Sequence, residues 1–233
     1  MFEELRGRVV AANVALVDAG LVVLTFGNAS AADREAGVMA IKPSGVAYDA
    51  LRRDDVPVVD LATGAVVFGE RRPSSDTPTH LALYRAFAEI GGVVHTHSPY
   101  ATAWAQAQRE LPCFGTTHAD HFHGPVLVTR QLTVEEIEGD YEERTGAVIV
   151  EAFAERRLDP LEVPAALVAS HGPFVWGADV EHAVENAVAL EAVAASAYRS
   201  LQLSPGLEGI SADLLEKHFA RKHGDSAYYG QPT

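Results

Sequence analysis

Residues 56–70, VPVVDLATGAVVFGE, decide the fold class. Two short apolar runs rich in valine flank Thr63-Gly64, a turn pair that reverses the chain between neighbouring antiparallel strands. A strictly alternating βαβ chain links its strands through helices instead. A hairpin in the interior of the chain therefore points to a mixed sheet with helices packed against it. The flanking sequence agrees. FEELRGRVVAANVALVD (2–18) has apolar groups at helical spacing and stops at Gly20, which predicts an N-terminal helix. LVVLTFGNAS (21–30) and GVMAIKPSG (37–45) read as strands closing on glycine, asparagine or serine. SSDTPTHLALYRAFAEI (74–90) predicts a helix capped by Thr77 with Pro78 in its first position.

Further along, strand GVVHTHS (92–98) precedes helix PYATAWAQAQREL (99–111), and PVLVT (125–129) reads as a short strand. A helical run from Val134 to about Arg157 is interrupted by Gly139 and Gly146, and strand AALVASHG (165–172) follows. A long helix from Asp179 to about Leu201 and a last helix, SADLLEKHFARKHG (211–224), lead to the tail DSAYYGQPT. With no repeat, low-complexity tract or linker, the chain is expected to form one globular domain.

The 233 residues are 48% hydrophobic, enough for one sizeable core. There is no signal-peptide pattern and no apolar run of membrane-spanning length, and a cytoplasmic protein is expected. Cys113 is the single cysteine, which excludes an internal disulfide framework and any cysteine-based zinc cluster. A net charge of −14 argues against nucleic acid and anionic membrane surfaces as partners. An anionic small molecule is compatible, given a local island of positive potential. Neither G-x-G-x-x-G nor a Walker A motif is present, so nicotinamide and nucleotide chemistry are not expected.

The residues that carry chemistry lie at element ends. His95 and His97 stand at i and i+2 of a strand and so share one face, within reach of a single cation. Taken alone the pair is equally an incidental hydrogen-bonded strand end. His171 closes an apolar strand before Gly172-Pro173, and Asp76 lies at a helix start, where a carboxylate often only compensates the dipole. Three imidazoles and a carboxylate would make a divalent site with harder ligands, suited to Lewis-acid catalysis. Lys42 is one of few lysines and sits in the KPSG turn, whose amides around Ser44 and Gly45 can point at an oxyanion. Such turns also serve backbone conformation alone.

The segments GNAS, KPSG, SSDTPTH, HTHSPYATAWA, ASHGPFVWG and KHGDSAYYGQ, in this order and spanning nearly the whole chain, resemble the L-ribulose-5-phosphate 4-epimerases of the class II aldolase family. The resemblance implies a single-domain three-layer α/β/α sandwich with a central, largely antiparallel sheet. It implies that Asp76, His95, His97 and His171 bind Zn²⁺, with Mn²⁺ or Co²⁺ as alternatives. By the same resemblance Asn28, Lys42, Ser44, Gly45, Ser74 and Ser75 hold a substrate phosphate, Thr116 and His218 support the reacting oxygens, and Asp120 and Tyr229 exchange protons. True aldolases of the family carry glutamate where Asp76 stands. The resemblance further implies a homotetramer, with the tail (about 211–233) reaching a neighbouring subunit.

The implied substrate is a sugar phosphate, a ketopentose inverted at carbon 4. That carbon is β to the carbonyl, so enolisation does not acidify its hydrogen, and inversion requires cleavage and re-formation of the C3–C4 bond. Proton acceptors are then needed on both faces of the aldehyde fragment. Two other readings remain: an aldolase that releases its fragments, and a non-catalytic domain resembling the adducin head. Among the remaining histidines, His80 is expected at the helix surface or behind the metal ligands, His182 and His223 in solvent, and His118, His121 and His123 as a conceivable second metal site.

Overall fold

The computed structural model describes residues 1–224, 227 and 228. Its centre is a seven-stranded sheet ordered β4-β3-β2-β1-β5-β7-β6, in which every neighbouring pair is antiparallel. The strands are β1 (Asn28–Asp33), β2 (Val38–Ile41), β3 (Val58–Asp60), β4 (Val66–Phe68), β5 (Gly92–His95), β6 (Ala165–Leu167) and β7 (Pro173–Gly177). The 56–70 hairpin is present as β3 and β4, and its turn is braced by the Thr63 amide and hydroxyl, both donating to Asp60.

Helices cover both faces. α1 (Glu3–Asp18), α3 (Pro99–Gln106) and α7 (Val180–Leu203) pack on one side. α2 (Thr77–Ala86) and α6 (Tyr141–Arg156) pack together on the other. The alternation of β7 explains the layering. Phe174 and Trp176 point toward α2 and α6, where Trp176 meets Phe87 and Phe153 at 5.3 and 5.2 Å between ring centroids. Gly177 faces the start of α7. There the approach is so close that a Cβ on the neighbouring strand's Gly92 would lie 2.3 Å from the Val180 Cα. The buried residues form a three-layer sandwich with one continuous core. Among the described residues, no helix is long and apolar enough to cross a membrane.

Several elements differ from the sequence expectation. The strand expected over 21–30 begins only at Asn28, because Leu24 (φ 55°) and Gly27 (φ 97°) bend the chain before it. The run 134–157 is two helices, α5 (Val134–Glu138) and α6, broken at Gly139. Gly146 does not interrupt α6. It faces α2, where a Cβ would lie 2.5 Å from that of Ala82. PVLVT contributes only isolated bridges, Val126 to Leu111 and Val128 to Leu167. The helix after Ser98 stops at Gln106, and a short helix, α4 (Thr116–Ala119), appears where none was expected. The last helix, α8 (Ala212–His223), buries no residue and docks on α4.

Candidate active site

The polar end of the sheet is built where β1, β5 and β7 lie side by side. Asn28 pairs with His95, and His95 with Phe174. The His95 ring is stacked on Phe174 at 4.2 Å and 13°, and its Nδ1 lies 2.9 Å from Pro173 O. A carbonyl only accepts, so Nδ1 carries the proton and the Nε2 lone pair faces outward. Nε2 lies 3.1 Å from Nε2 of His97. His171 enters from the β6–β7 turn, where Ser170 adopts φ 62°. The three rings stand 4.8–5.2 Å apart and nearly perpendicular to one another.

Burial holds the basicity of all three down. His95 lies well below the ordinary imidazole value, through burial first and then the neighbouring His171 and His97. His97 is lowered by burial, with Asp76 opposing, and His171 by burial and then His97. At neutral pH the cluster therefore presents lone pairs, which repel at such distances unless a cation lies between them. Two nitrogens at 2.0–2.1 Å from one tetrahedral Zn²⁺ would be about 3.3 Å apart, close to the spacing found. One ligand atom from each imidazole falls within 4.8 Å of the others, and His171 Nδ1 is buried without a partner. The donor set fits a divalent cation. It is the single such group among the described residues.

Asp76 lines the same cleft but stands outside that close group. It, not Thr77, is the N-cap of α2, with Thr77 and Pro78 in the first two helical positions. Its side chain caps no amide. Instead Asn28 Nδ2 donates to Asp76 Oδ2 at 2.7 Å and to Ser74 Oγ at 3.1 Å. One rung further along, Ser30 Oγ lies 2.7 Å from His80 Nδ1 and 2.9 Å from the Tyr84 hydroxyl. Two residues along a strand advance about 6.7 Å and four along a helix about 6 Å. Asn28 with Asp76 and Ser30 with His80 thus form matched cross-links between β1 and α2. His80 is fully buried rather than on the helix surface, and burial pushes its pKa down to about 3.

The whole cleft has a volume of about 370 Å³, and beyond the imidazoles and Asp76 it is lined by Asn28, Lys42, Ser44, Gly45, Ser74 and Ser75 together with Phe26. The Ser74 amide donates to Lys42 O at 3.0 Å and the Ser44 amide to Arg72 O at 2.9 Å, which holds the KPSG turn beside the start of α2. The Ser44 amide is thereby spent, correcting the expectation that it points at an oxyanion. Lys42 is buried, which lowers its pKa.

Asp120, Thr116 and His218 are brought together elsewhere. Thr116 opens α4 and Asp120 follows it. His218 Nδ1 lies 3.1 Å from Asp120 Oδ1, and Arg221 donates Nε to Oδ1 at 2.9 Å and Nη2 to Oδ2 at 2.7 Å. Burial raises the Asp120 carboxyl, but the bonds from Arg221 and His218 outweigh it and hold the pKa below the ordinary range. None of these residues lines the imidazole cleft of the same chain. Tyr229 lies outside the described residues.

The remaining histidines do not converge. His118 donates to Gly124 O, His121 faces Lys222, and His123 sits between Glu162 and Glu216. His182 is exposed and bonded to Asp179, and His223, though exposed, binds Asp120 O. Sequence reasoning missed Arg221, and also Tyr48, whose ring lies 4.7 Å from Lys42 Nζ. Neither carries a spacing signal, because each acts on a partner brought near only by folding.

An antiparallel α/β/α sandwich with a histidine-lined, cation-competent cleft beside a lysine turn defines the class. The chain belongs to the class II aldolase and adducin N-terminal domain family, whose profile matches residues 7–198. It is 53% identical over 229 residues to the L-ribulose-5-phosphate 4-epimerase UlaF of Salmonella paratyphi A, covering 98% of this chain and 99% of that one. The protein of the same name from Salmonella typhi matches equally. Among solved structures, an L-fuculose 1-phosphate aldolase superposes with a TM-score of 0.77 at 26% identity, covering 92% of this chain and 94% of its own.

Proposed function

We propose that the protein interconverts L-ribulose 5-phosphate and D-xylulose 5-phosphate by breaking the C3–C4 bond and remaking it on the opposite face of the aldehyde. The observation that carries this is the 53% identity, from end to end, with proteins named for that reaction. The cleft offers chemistry in keeping with it.

In this reading His95, His97 and His171, with Asp76 beside them, hold a divalent cation, for which Zn²⁺ is the best match to imidazole and carboxylate donors. When bound, such a cation supplies the Lewis acid that neutralises charge developing on the ketose oxygens. Asn28, Lys42, Ser44, Gly45, Ser74 and Ser75 grip the phosphate, so the two-carbon aldehyde fragment stays tethered while it turns. The buried ammonium of Lys42 is the positive island an acidic chain needs for this. Asp120 and Tyr229 take and return the proton on the two faces of the aldehyde, and Thr116 and His218 contact the reacting oxygens.

Asp120, Thr116 and His218 do not line the cleft of their own chain, so they serve the cleft of a neighbour. The proposed assembly is a homotetramer with shared sites, in which the tail (about 211–233) of one domain reaches the next subunit. α8 is tied to Asp120 by His218 and Arg221, which makes one platform of the groups offered to the neighbour. Phe26, which lines the cleft, is 50% exposed, and Val23 and Leu24 on the bend just before it are 60% and 76% exposed, apolar surface that a second subunit would cover. The enzyme is placed in the cytoplasm, in keeping with its single cysteine.

Incubation with L-ribulose 5-phosphate, with and without added divalent metal, tests the reading by product analysis. D-xylulose 5-phosphate is the expected product. Accumulating dihydroxyacetone and glycolaldehyde phosphate would instead establish cleavage, the reading that the likeness to L-fuculose 1-phosphate aldolase favours. A purified protein with neither turnover nor metal would mark a binding domain.

A further inference from the structure

Lys42 is 2% exposed. A buried ammonium that is to meet an anion on one side needs partners on the other. Its Nζ donates to Val46 O at 2.7 Å, closing the KPSG turn on its own side chain. Beneath it, at 4.7 Å, is the ring of Tyr48, which opens a short 3-10 turn, Tyr48–Ala50. Tyr48 is itself buried, and its hydroxyl runs the other way, donating to Gly27 O at 2.8 Å and lying 3.4 Å from Phe26 O. Gly27 has no freedom to move toward β5, since even a Cβ there would lie 2.7 Å from His95 O. The next residue is Asn28, which binds Ser74 and Asp76. One side chain thus touches both walls of the cleft: the ammonium on one, the entry to β1 on the other.

We propose that Tyr48 is the positioning residue of the phosphate cradle, seating the Lys42 ammonium on its ring and fixing the distance to the Asn28 wall through its hydroxyl. The inference rests on the reading of this cleft as a phosphate site. It assigns the ring and the hydroxyl separate tasks. The ring offers the ammonium a negative π face without taking the N–H donors that the bond to Val46 O leaves for an oxyanion. The hydroxyl sets where Asn28 stands.

Competitive inhibition by inorganic phosphate, KM and kcat for L-ribulose 5-phosphate, and bound metal are to be measured on the full chain for Tyr48→Leu, Tyr48→Phe and Lys42→Met. Tyr48→Leu is expected to raise Ki and KM together by about tenfold, with a smaller change in kcat and unchanged metal content. Tyr48→Phe, which keeps the ring, should raise both by about threefold. Wild-type Ki and KM in folded Tyr48→Leu would overturn the inference, as would a loss confined to kcat or accompanied by loss of metal. If Tyr48→Leu does not fold, Tyr48→Phe decides, and parity with wild type overturns it. Lys42→Met separates the two levels. If it too leaves phosphate inhibition unchanged, the cradle itself is misassigned; if it weakens inhibition while both Tyr48 variants do not, Tyr48 alone is.

Discussion

Replacing His97 by Asn removes one of three clustered imidazoles at little cost to packing. The side chain lies on the open side of the cluster, only partly covered, and meets the His95 nitrogen at 3.1 Å and the His171 and Phe26 rings at 5.2 and 6.1 Å between centroids. Without metal the variant should therefore match wild type within about 0.5 kcal/mol. With metal the two should part. Losing a group that merely orients a ligand typically weakens metal binding about 10- to 100-fold, so losing a ligand should cost at least about 100-fold. At a free metal concentration about 1,000 times the wild-type dissociation constant, binding stabilises the native state by about 4.1 kcal/mol. A 100-fold weaker site retains about 1.4 kcal/mol at that concentration. The difference of about 2.7 kcal/mol corresponds to a melting temperature lower by about 5–11 °C for a domain of this size. Thermal melts in chelator and in Zn²⁺ read both quantities on the same samples. Equal metal-induced shifts in the two proteins would remove His97 from the site, and a lower melting temperature in chelator would reveal a structural role instead.

Four further outcomes are expected. Gly27→Ala forces a side chain into a left-handed conformation against His95 O and should destabilise the metal-free protein by about 1–3 kcal/mol in urea unfolding; an unmoved midpoint would contradict the packing described. Arg221→Met leaves Asp120 to burial and His218, so its pKa should rise and the acid limb of kcat/KM should move to higher pH, whereas an unchanged limb would dissociate Asp120 from proton transfer. The sign for stability follows from a carboxyl depressed in the native state: its contribution is present above the unfolded value of about 3.9 and is lost as pH falls through the folded one, so the gap between wild type and variant narrows in acid. Tyr229→Phe should lower kcat far more than it raises KM, and the reverse pattern would assign Tyr229 to binding. Mixing a chain truncated after residue 224 with Lys42→Met should restore part of the activity that each lacks, because one assembled cleft can draw both sound halves from different subunits; no recovery on mixing counts against shared sites.

The β3–β4 hairpin and most helices were legible because their signals are local: the Thr63-Gly64 reversal, the unbroken helical spacing before Gly20, and Asp179, which caps α7 by accepting from the His182 amide. The residue pattern points to a mixed sheet and marks Gly172-Pro173 as the start of a loop, whereas every pairing is antiparallel and Pro173 opens β7, between β5 and β6. The convergence of His95, His97 and His171 was only partly legible: β5 ends at His95 and β6 at Leu167, short of the expected strands, so His97 and His171 reach the cluster from the segments beyond rather than by strand alternation. The failures have a common cause. Leu21 to Leu24 reads as a strand, yet Val23 and Leu24 stand exposed on a bend. Hydrophobicity records that a residue is to be covered, not whether its own chain or another covers it. For His80 the sequence leaves open the helix surface or a place behind the metal ligands, because Ser30, which binds its ring and is itself held by Tyr84, lies 50 residues away on β1. The grip of Arg221 on Asp120 spans 101 positions, beyond the reach of any local pattern.

The paired links from β1 to α2 also constrain how the enzyme can move. A slip of the helix by a single residue would break the bonds of Asn28 with Asp76 and of Ser30 with His80 at once, and no smaller register would restore either. The floor beneath the imidazoles is therefore stiff. On the proposed mechanism, room for a turning aldehyde would have to come from the opposite bank, where Leu24 and Phe26 border solvent, and substitutions that loosen that bank should alter turnover without disturbing the imidazole cluster.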